Sequence, residues 1–175
     1  MTKVGNLSIH TENILPIIKK WLYAEKEIFL RELVSNSCDA LHKLKLLQKE
    51  GVFSSTHEFT IHIEIDKKQK TLTIEDTGLG MTEEEVEKYI AQIAFSSFQE
   101  FFEVYKTQGK EDIIGHFGLG FFSAFMVAKK VEIETLSFKK NEKAVHFSSD
   151  GSIEYSLRDW FINWPKDPAC TDRVR

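Results

Sequence analysis

The chain has 175 residues, is 42% hydrophobic and carries a formal charge of −4. That is enough for one domain with a real core and hardly enough for two. A mildly acidic chain has no basic field to hold a phosphate backbone, which argues against nucleic-acid binding driven by bulk charge and leaves only a local patch open. No apolar run approaches membrane-spanning length. The start, MTKVGNLSIHTEN, lacks the apolar core of a signal peptide. Two cysteines, Cys38 and Cys170, form neither a metal-spacing pattern nor a disulfide framework. A soluble, reducing, cytoplasmic setting fits these features. Fourteen phenylalanines, several of them near FGLGFFSAF, point to a dense core ahead of a mobile apolar surface.

The elements follow in chain order. Residues 12–24 have a helical period, with Ile14, Ile17, Ile18 and Leu22 on one side and Pro16 in the first turn, where it is tolerated. Residues 26–49 predict a long helix through Leu30, Leu33, Val34, Leu41, Leu44 and Leu47, closed by Gly51. FTIHIEID, residues 59–66, alternates as a strand with Ile61, Ile63 and Ile65 on one face. KKQK turns the chain, and TLTIED, residues 71–76, returns as a second strand. Thr82 and Glu85 form a capping box that opens a helix running to about Ala94. A mixed stretch covers Phe95 to Ile114, and residues 120–129 predict a further helix. VEIETLSF, EKAVHFSS and SIEYSL form a strand meander. The tail, RDWFINWPKDPACTDRVR, ends on what could start a strand, with no natural stop, so a cut or truncated chain is expected. Helices mixed with hairpin-connected strands predict an α+β fold, a two-layer sandwich with helices on one face of a largely antiparallel sheet.

Three constellations carry chemistry. In FLRELVSNSCDALHKL, Glu32, Asn36, Asp39 and Lys43 share one helix face, opposite the leucines. Such a stripe alone is most simply a solvated face. However, the small residues Ser35, Ser37, Cys38 and Ala40 beside it allow close approach, and asparagine is a poor helix-surface choice. In TLTIEDTGLGMT, Asp76 falls in phase with Leu72 and Ile74, so its carboxylate is expected to point inward. A buried carboxylate needs a partner. It either caps the Thr77–Gly78 turn or accepts from a ligand N–H. Gly78 and Gly80 would permit close approach to a flat ligand. In IGHFGLGFFSAFMVA, Gly115, Gly118 and Gly120 lead into a helix, a placement that suits phosphate oxygens. The spacing is neither the dinucleotide fingerprint nor a P-loop, and glycine loops without function are common.

An acid-amide helix, an Asp-x-Gly-x-Gly turn and a second glycine loop in this order resemble the superfamily of gyrase, heat-shock chaperone, sensor histidine kinase and mismatch-repair ATPases. FLRELVSNSCDAL, IEDTGLGMT and IGHFGLGFFSAFMVA most resemble the ninety-kilodalton heat-shock protein family in its bacterial form. The likeness runs from about Leu7 to at least Ser149. It implies a Bergerat-type N-terminal nucleotide-binding domain over residues 1–175, with middle and C-terminal domains absent and a lid over about 82–120. It implies ATP or ADP with Mg2+ as ligands. Glu32 would activate water, and Asn36 would complete magnesium coordination with the phosphates. Asp76 would accept from the adenine amino group, with Gly80 and Met81 lining the base pocket. Asp39 and Lys43 would sit at the sugar side, close to Ala40. Gly115, Gly118, Gly120 and Phe121 would form the phosphate loop, and Thr171 would be the adenine-side threonine. The implied partners are non-native client proteins and a second copy, joined through the missing segments, with no nucleic acid and no membrane.

The chain departs from the family pattern at QIAFSSFQEFF, where Phe95 replaces a lysine and Ser97–Phe98 replace a glycine and a threonine. This removes one phosphate contact and one hinge. The alternatives are a non-hydrolysing nucleotide-sensing or client-binding module, and a histidine kinase domain. The FLRELVSNSCDAL wording argues against the kinase, and His116 is an ordinary loop residue ahead of a phosphoacceptor.

Overall fold

Helix α1, Ile28–Lys49, keeps Leu33, Leu41, Leu44 and Leu47 buried on one side. It stops where the sequence predicts. Gly51 adopts φ +74°, its N–H donates to the Gln48 carbonyl, and the Val52 N–H donates to the Leu47 carbonyl. This pair of bonds is the Schellman arrangement, which needs a left-handed residue at Gly51. A Cβ at Gly51 would meet nothing within 4 Å. Gly51→Ala should therefore cost backbone strain alone, roughly 1 kcal/mol. Urea unfolding checks this as a lower midpoint at unchanged slope.

The computed structural model describes residues 27–52, 54, 58–91, 120–152, 154–161 and 171–175. The expected helix over 12–24, the stretch from Phe95 to Ile114, Gly115, His116, Gly118 and Cys170 lie outside the described residues.

Six strands form one sheet: β1 Ile61–Asp66, β2 Thr71–Asp76, β3 Val131–Leu136, β4 Ala144–Ser149, β5 Tyr155–Trp160 and β6 Thr171–Val174. The spatial order is β1-β2-β6-β3-β4-β5, and every pair is antiparallel. The last strand is therefore central. On the side of the sheet away from the helices, Arg173 fixes it by ion pairs to Glu75 on β2 at 2.6 Å and Glu134 on β3 at 3.5 Å. The helical face carries the core. Leu33 of α1 packs with Ile74, Val131, Ile133 and Phe147 of the sheet, and with Val86, Phe121, Ala124 and Phe125. The α+β two-layer expectation holds.

Four local expectations change. The helix opened by Thr82 is α2, Glu83–Tyr89, with both bonds of the capping box formed. It ends short of Ala94, at the Ile90 cap. The segment expected as a helix over 120–129 is a 3-10 helix, Phe121–Met126. Ser123 explains the tighter turn, because both its N–H and its hydroxyl bond the Gly120 carbonyl, at 3.2 and 2.5 Å. Strand β5 begins at Tyr155 and runs on through Trp160, into what the sequence suggested was tail. Ile63 and Ile65 of the edge strand β1 are exposed. The aligned isoleucines mark the face shared with Ile74 and Asp76, and only Ile61 at the Asp76 end packs against the core.

Candidate functional site

Asp76 ends β2 with 5% of its surface exposed, so its inward phase is real. Its Oδ1 accepts the Gly78 N–H at 2.9 Å. The turn-capping role is thus present, and it uses one of the several acceptor positions a carboxylate offers. Gly78 lies directly on α1. A Cβ there would fall 2.5 Å from the Ala40 Cβ and 2.6 Å from Asp76 Oδ1. Two small residues therefore bring the Asp76 carboxylate against the helix at Ala40.

The other contact lies further up the same helix. A Cβ at Gly120 would sit 3.1 Å from Asn36 Nδ2, 3.2 Å from Asn36 Oδ1 and 3.3 Å from Glu32 Oε2. The glycine that caps the 3-10 helix thus faces the acid and the amide of α1. The second constellation, through Asp76 and Gly78, and the third, through Gly120, thus both meet the helix that carries the first. Glu32 and Ala40 are separated by about 12 Å of helix rise. The acid, amide and glycine stand at one end, and the buried acceptor and its turn at the other. An elongated ligand with a hydrogen-bonding flat ring at one end and anionic groups at the other fits this arrangement.

Toward the Ala40 end and one turn past it, the stripe sinks into the protein. Asn36 is exposed, Glu32 is half-buried, and Asp39 and Lys43 are buried at 6% and 8% exposure. A solvated face does not bury a lysine. Burial pushes the Lys43 ammonium below the ordinary lysine range, while Asp39 and then Glu85 draw it back up. Glu85 is itself placed by its capping-box bond to the Thr82 N–H at 2.8 Å and by an ion pair to Lys139 at 2.8 Å. The charge on Lys43 therefore sits within a carboxylate environment supplied by α1 and α2.

Gly80 and Met81 form the outer part of the turn. Gly80 has φ +60°, and a Cβ there would overlap the Leu136 carbonyl of β3. Met81 donates its N–H to Thr135 Oγ1 at 2.8 Å and packs at the border of the core. Phe121 is buried, its ring edge-on to Phe122, Phe125 and Phe147. Its side chain is core, so only its backbone is available for a phosphate role. Thr171 opens β6 in register with Leu136, whereas the register partner of Asp76 is Asp172. The structure brings together Glu32, Asn36, Ala40, Asp76, Gly78 and Gly120, with Asp39 and Lys43 alongside. Sequence reasoning missed Thr135 and Lys139. For Thr135 a signal existed: VEIETL alternates, and Val131, Ile133 and Thr135 are all buried. A threonine in an inward position of an apolar series implies a hydrogen-bonding task.

A family model for the histidine kinase-, DNA gyrase B-, and HSP90-like ATPase matches residues 24–166. The chain belongs to this ATPase family. Within it, the chain is 53% identical over 158 residues to the chaperone protein HtpG of Porphyromonas gingivalis, a match covering 90% of this chain and 23% of that protein. It is 54% identical over 156 residues to HtpG of Bacteroides thetaiotaomicron, covering 89% of this chain and 22% of the relative. It is 42% identical over 163 residues to the mitochondrial heat shock protein 75 kDa of Rattus norvegicus, covering 89% of this chain and 23% of the relative. The chain thus spans about a quarter of the length of these relatives. Membership in the family carries nucleotide binding.

Proposed function

We propose that this chain is the N-terminal nucleotide-binding domain of an ATP-dependent chaperone, binding ATP and ADP and supporting hydrolysis of the γ-phosphate. The observation that carries the reading is the double contact of α1: Gly78 with Ala40 and Asp76, and Gly120 with Asn36 and Glu32. Asp76 accepts from the adenine amino group. Gly80 and Met81 line the base, while Ala40, Asp39 and Lys43 lie toward the sugar. The backbone of Gly120 and Phe121 would hold the phosphates, a role assigned also to Gly115 and Gly118, and Thr171 is assigned to the adenine side. The half-buried carboxylate of Glu32 orients a water for in-line attack and takes its proton. Asn36 would help hold a magnesium ion against the nucleotide phosphates, and the ion would supply charge neutralisation there. The Asn36 Oδ1 and the Glu32 Oε2 both face Gly120, and oxygen donors of this kind suit a magnesium ion.

The wider reading follows from the chaperone relatives. Client proteins in non-native states are the partners, and two copies associate through segments beyond residue 175. The lid occupies about 82–120, and the setting is the cytoplasm. Neither nucleic acid nor a membrane takes part. Among the described residues, no helix is long and apolar enough to cross a membrane.

The test is Glu32→Ala in a chain extended to the length of its relatives. Turnover should fall by about 100- to 10,000-fold, the usual contribution of a positioned base, with ADP affinity unchanged. Unchanged turnover would remove Glu32 from the reaction and favour a nucleotide-sensing module. The 175-residue chain alone should hydrolyse slowly, since it spans only about a quarter of the length of its relatives. A steady-state rate on the order of 10 per second, typical of efficient enzymes, would overturn that expectation.

A further inference from the structure

The Asp76–Gly78 bond shapes the start of the turn that carries the base-side residues. Its outer part, Leu79 to Met81, leans on the end of β3 and the two residues that follow it. The Leu79 carbonyl accepts the Phe138 N–H at 2.8 Å. Gly80 takes a left-handed conformation so close to Leu136 and Ser137 that no Cβ would fit. The Met81 N–H is bound by Thr135 Oγ1 at 2.8 Å. The first two contacts use backbone from Leu136 to Phe138, at the end of β3 and just past it, and would form with many residues there. The third uses a side chain, so only it depends on which residue stands at 135.

Thr135 is built for that task. It is fully buried, at 0% exposure, in the middle of the sheet between Val145 of β4 and Asp172 of β6. Its backbone is fixed by pairing on both sides, so the hydroxyl has a fixed origin. We propose that Thr135 is a positioning residue of the nucleotide site, its hydroxyl holding Met81 and thereby setting the wall against which the adenine ring rests. This rests on the nucleotide-binding reading above. Thr135 does not touch the ligand; it acts through Met81. A valine at 135 keeps the volume and removes the acceptor. The Met81 N–H then loses its partner, and the turn must roll to find another. A serine keeps the hydroxyl and gives up a methyl.

The experiment compares the unmodified chain with Thr135→Val, Thr135→Ser and Asp76→Asn. Magnesium-ADP is titrated by calorimetry, and exchange of the Met81 amide hydrogen is followed by NMR. Thr135→Val should weaken ADP by about tenfold or more, as expected for one unpaired buried donor, and should speed Met81 exchange. Thr135→Ser should restore both. ADP affinity in Thr135→Val equal to that of the unmodified chain overturns the proposal while leaving the nucleotide reading intact. A loss that serine does not rescue also overturns it, since the hydroxyl would then not be the cause. If Thr135→Val fails to fold, the serine variant still decides: it must keep both the slow Met81 exchange and the affinity. Absence of ADP binding by the unmodified chain overturns the nucleotide reading, and this inference with it, and is distinguished by the first titration.

Discussion

Asp76→Asn is expected to abolish ADP binding, with affinity falling at least about 100-fold, while the fold survives. Two features set this apart from an ordinary surface change. The carboxylate is nearly fully buried, so a ligand N–H that loses its acceptor there finds no water in exchange. The asparagine amide also turns a donor toward the adenine amino group, which opposes donor to donor; sites that read a polar group in this way discriminate strongly. The fold should survive because an asparagine Oδ1 can still accept the Gly78 N–H, the bond that shapes the turn. Calorimetric titration of magnesium-ADP into both chains decides, with thermal unfolding as the control. Binding lost at a near-unchanged melting temperature assigns the adenine contact to Asp76. Affinity retained in the variant would confine Asp76 to its turn-capping role and move the base contact elsewhere.

Much of this site was legible because its residues break local rules in the right places. Asp76 continues an inward-facing apolar series, and Asn36 sits on a helix face where it adds nothing to helicity. The Thr82–Glu85 capping box and the Gly51 stop were readable for the same reason: each is local chemistry that acts within a few residues. Convergence was not legible. That Gly78 meets Ala40 and Gly120 meets Asn36 depends on how the sheet lies on α1. Spacing along the chain cannot report that geometry, and only family likeness anticipated it. The central place of β6 was hidden too. A strand of four residues at the chain end gives almost no periodic signal, yet it joins β2 to β3. Its register also pairs Asp172, and not Thr171, with Asp76. The helix expected after Gly120 forms as a shorter 3-10 helix through Ser123, whose hydroxyl competes for a backbone carbonyl and tightens the turn.

Gly80→Ala should be the most disruptive single methyl in the described residues. At φ +60° any L side chain costs about 1–2 kcal/mol. The added Cβ also overlaps the Leu136 carbonyl and comes within 2.9 Å of the Ser137 nitrogen. Leu136 cannot retreat, because it is paired with Thr171 of the central strand. The turn must move instead, which breaks the Phe138–Leu79 and Met81–Thr135 bonds, each of which contributes about 1 kcal/mol. The sum is about 3–4 kcal/mol, or a melting temperature lower by roughly 10 °C for a chain of this size. Gly51→Ala is the internal standard, since it has the same left-handed backbone and no neighbour to strike. Unfolding of the two variants side by side isolates the collision from the strain. Gly80→Ala should lose several times more stability than Gly51→Ala and bind no ADP. Equal losses would mean that the turn can leave β3 at no cost, and that the end of β3 does not hold the base-side wall in place.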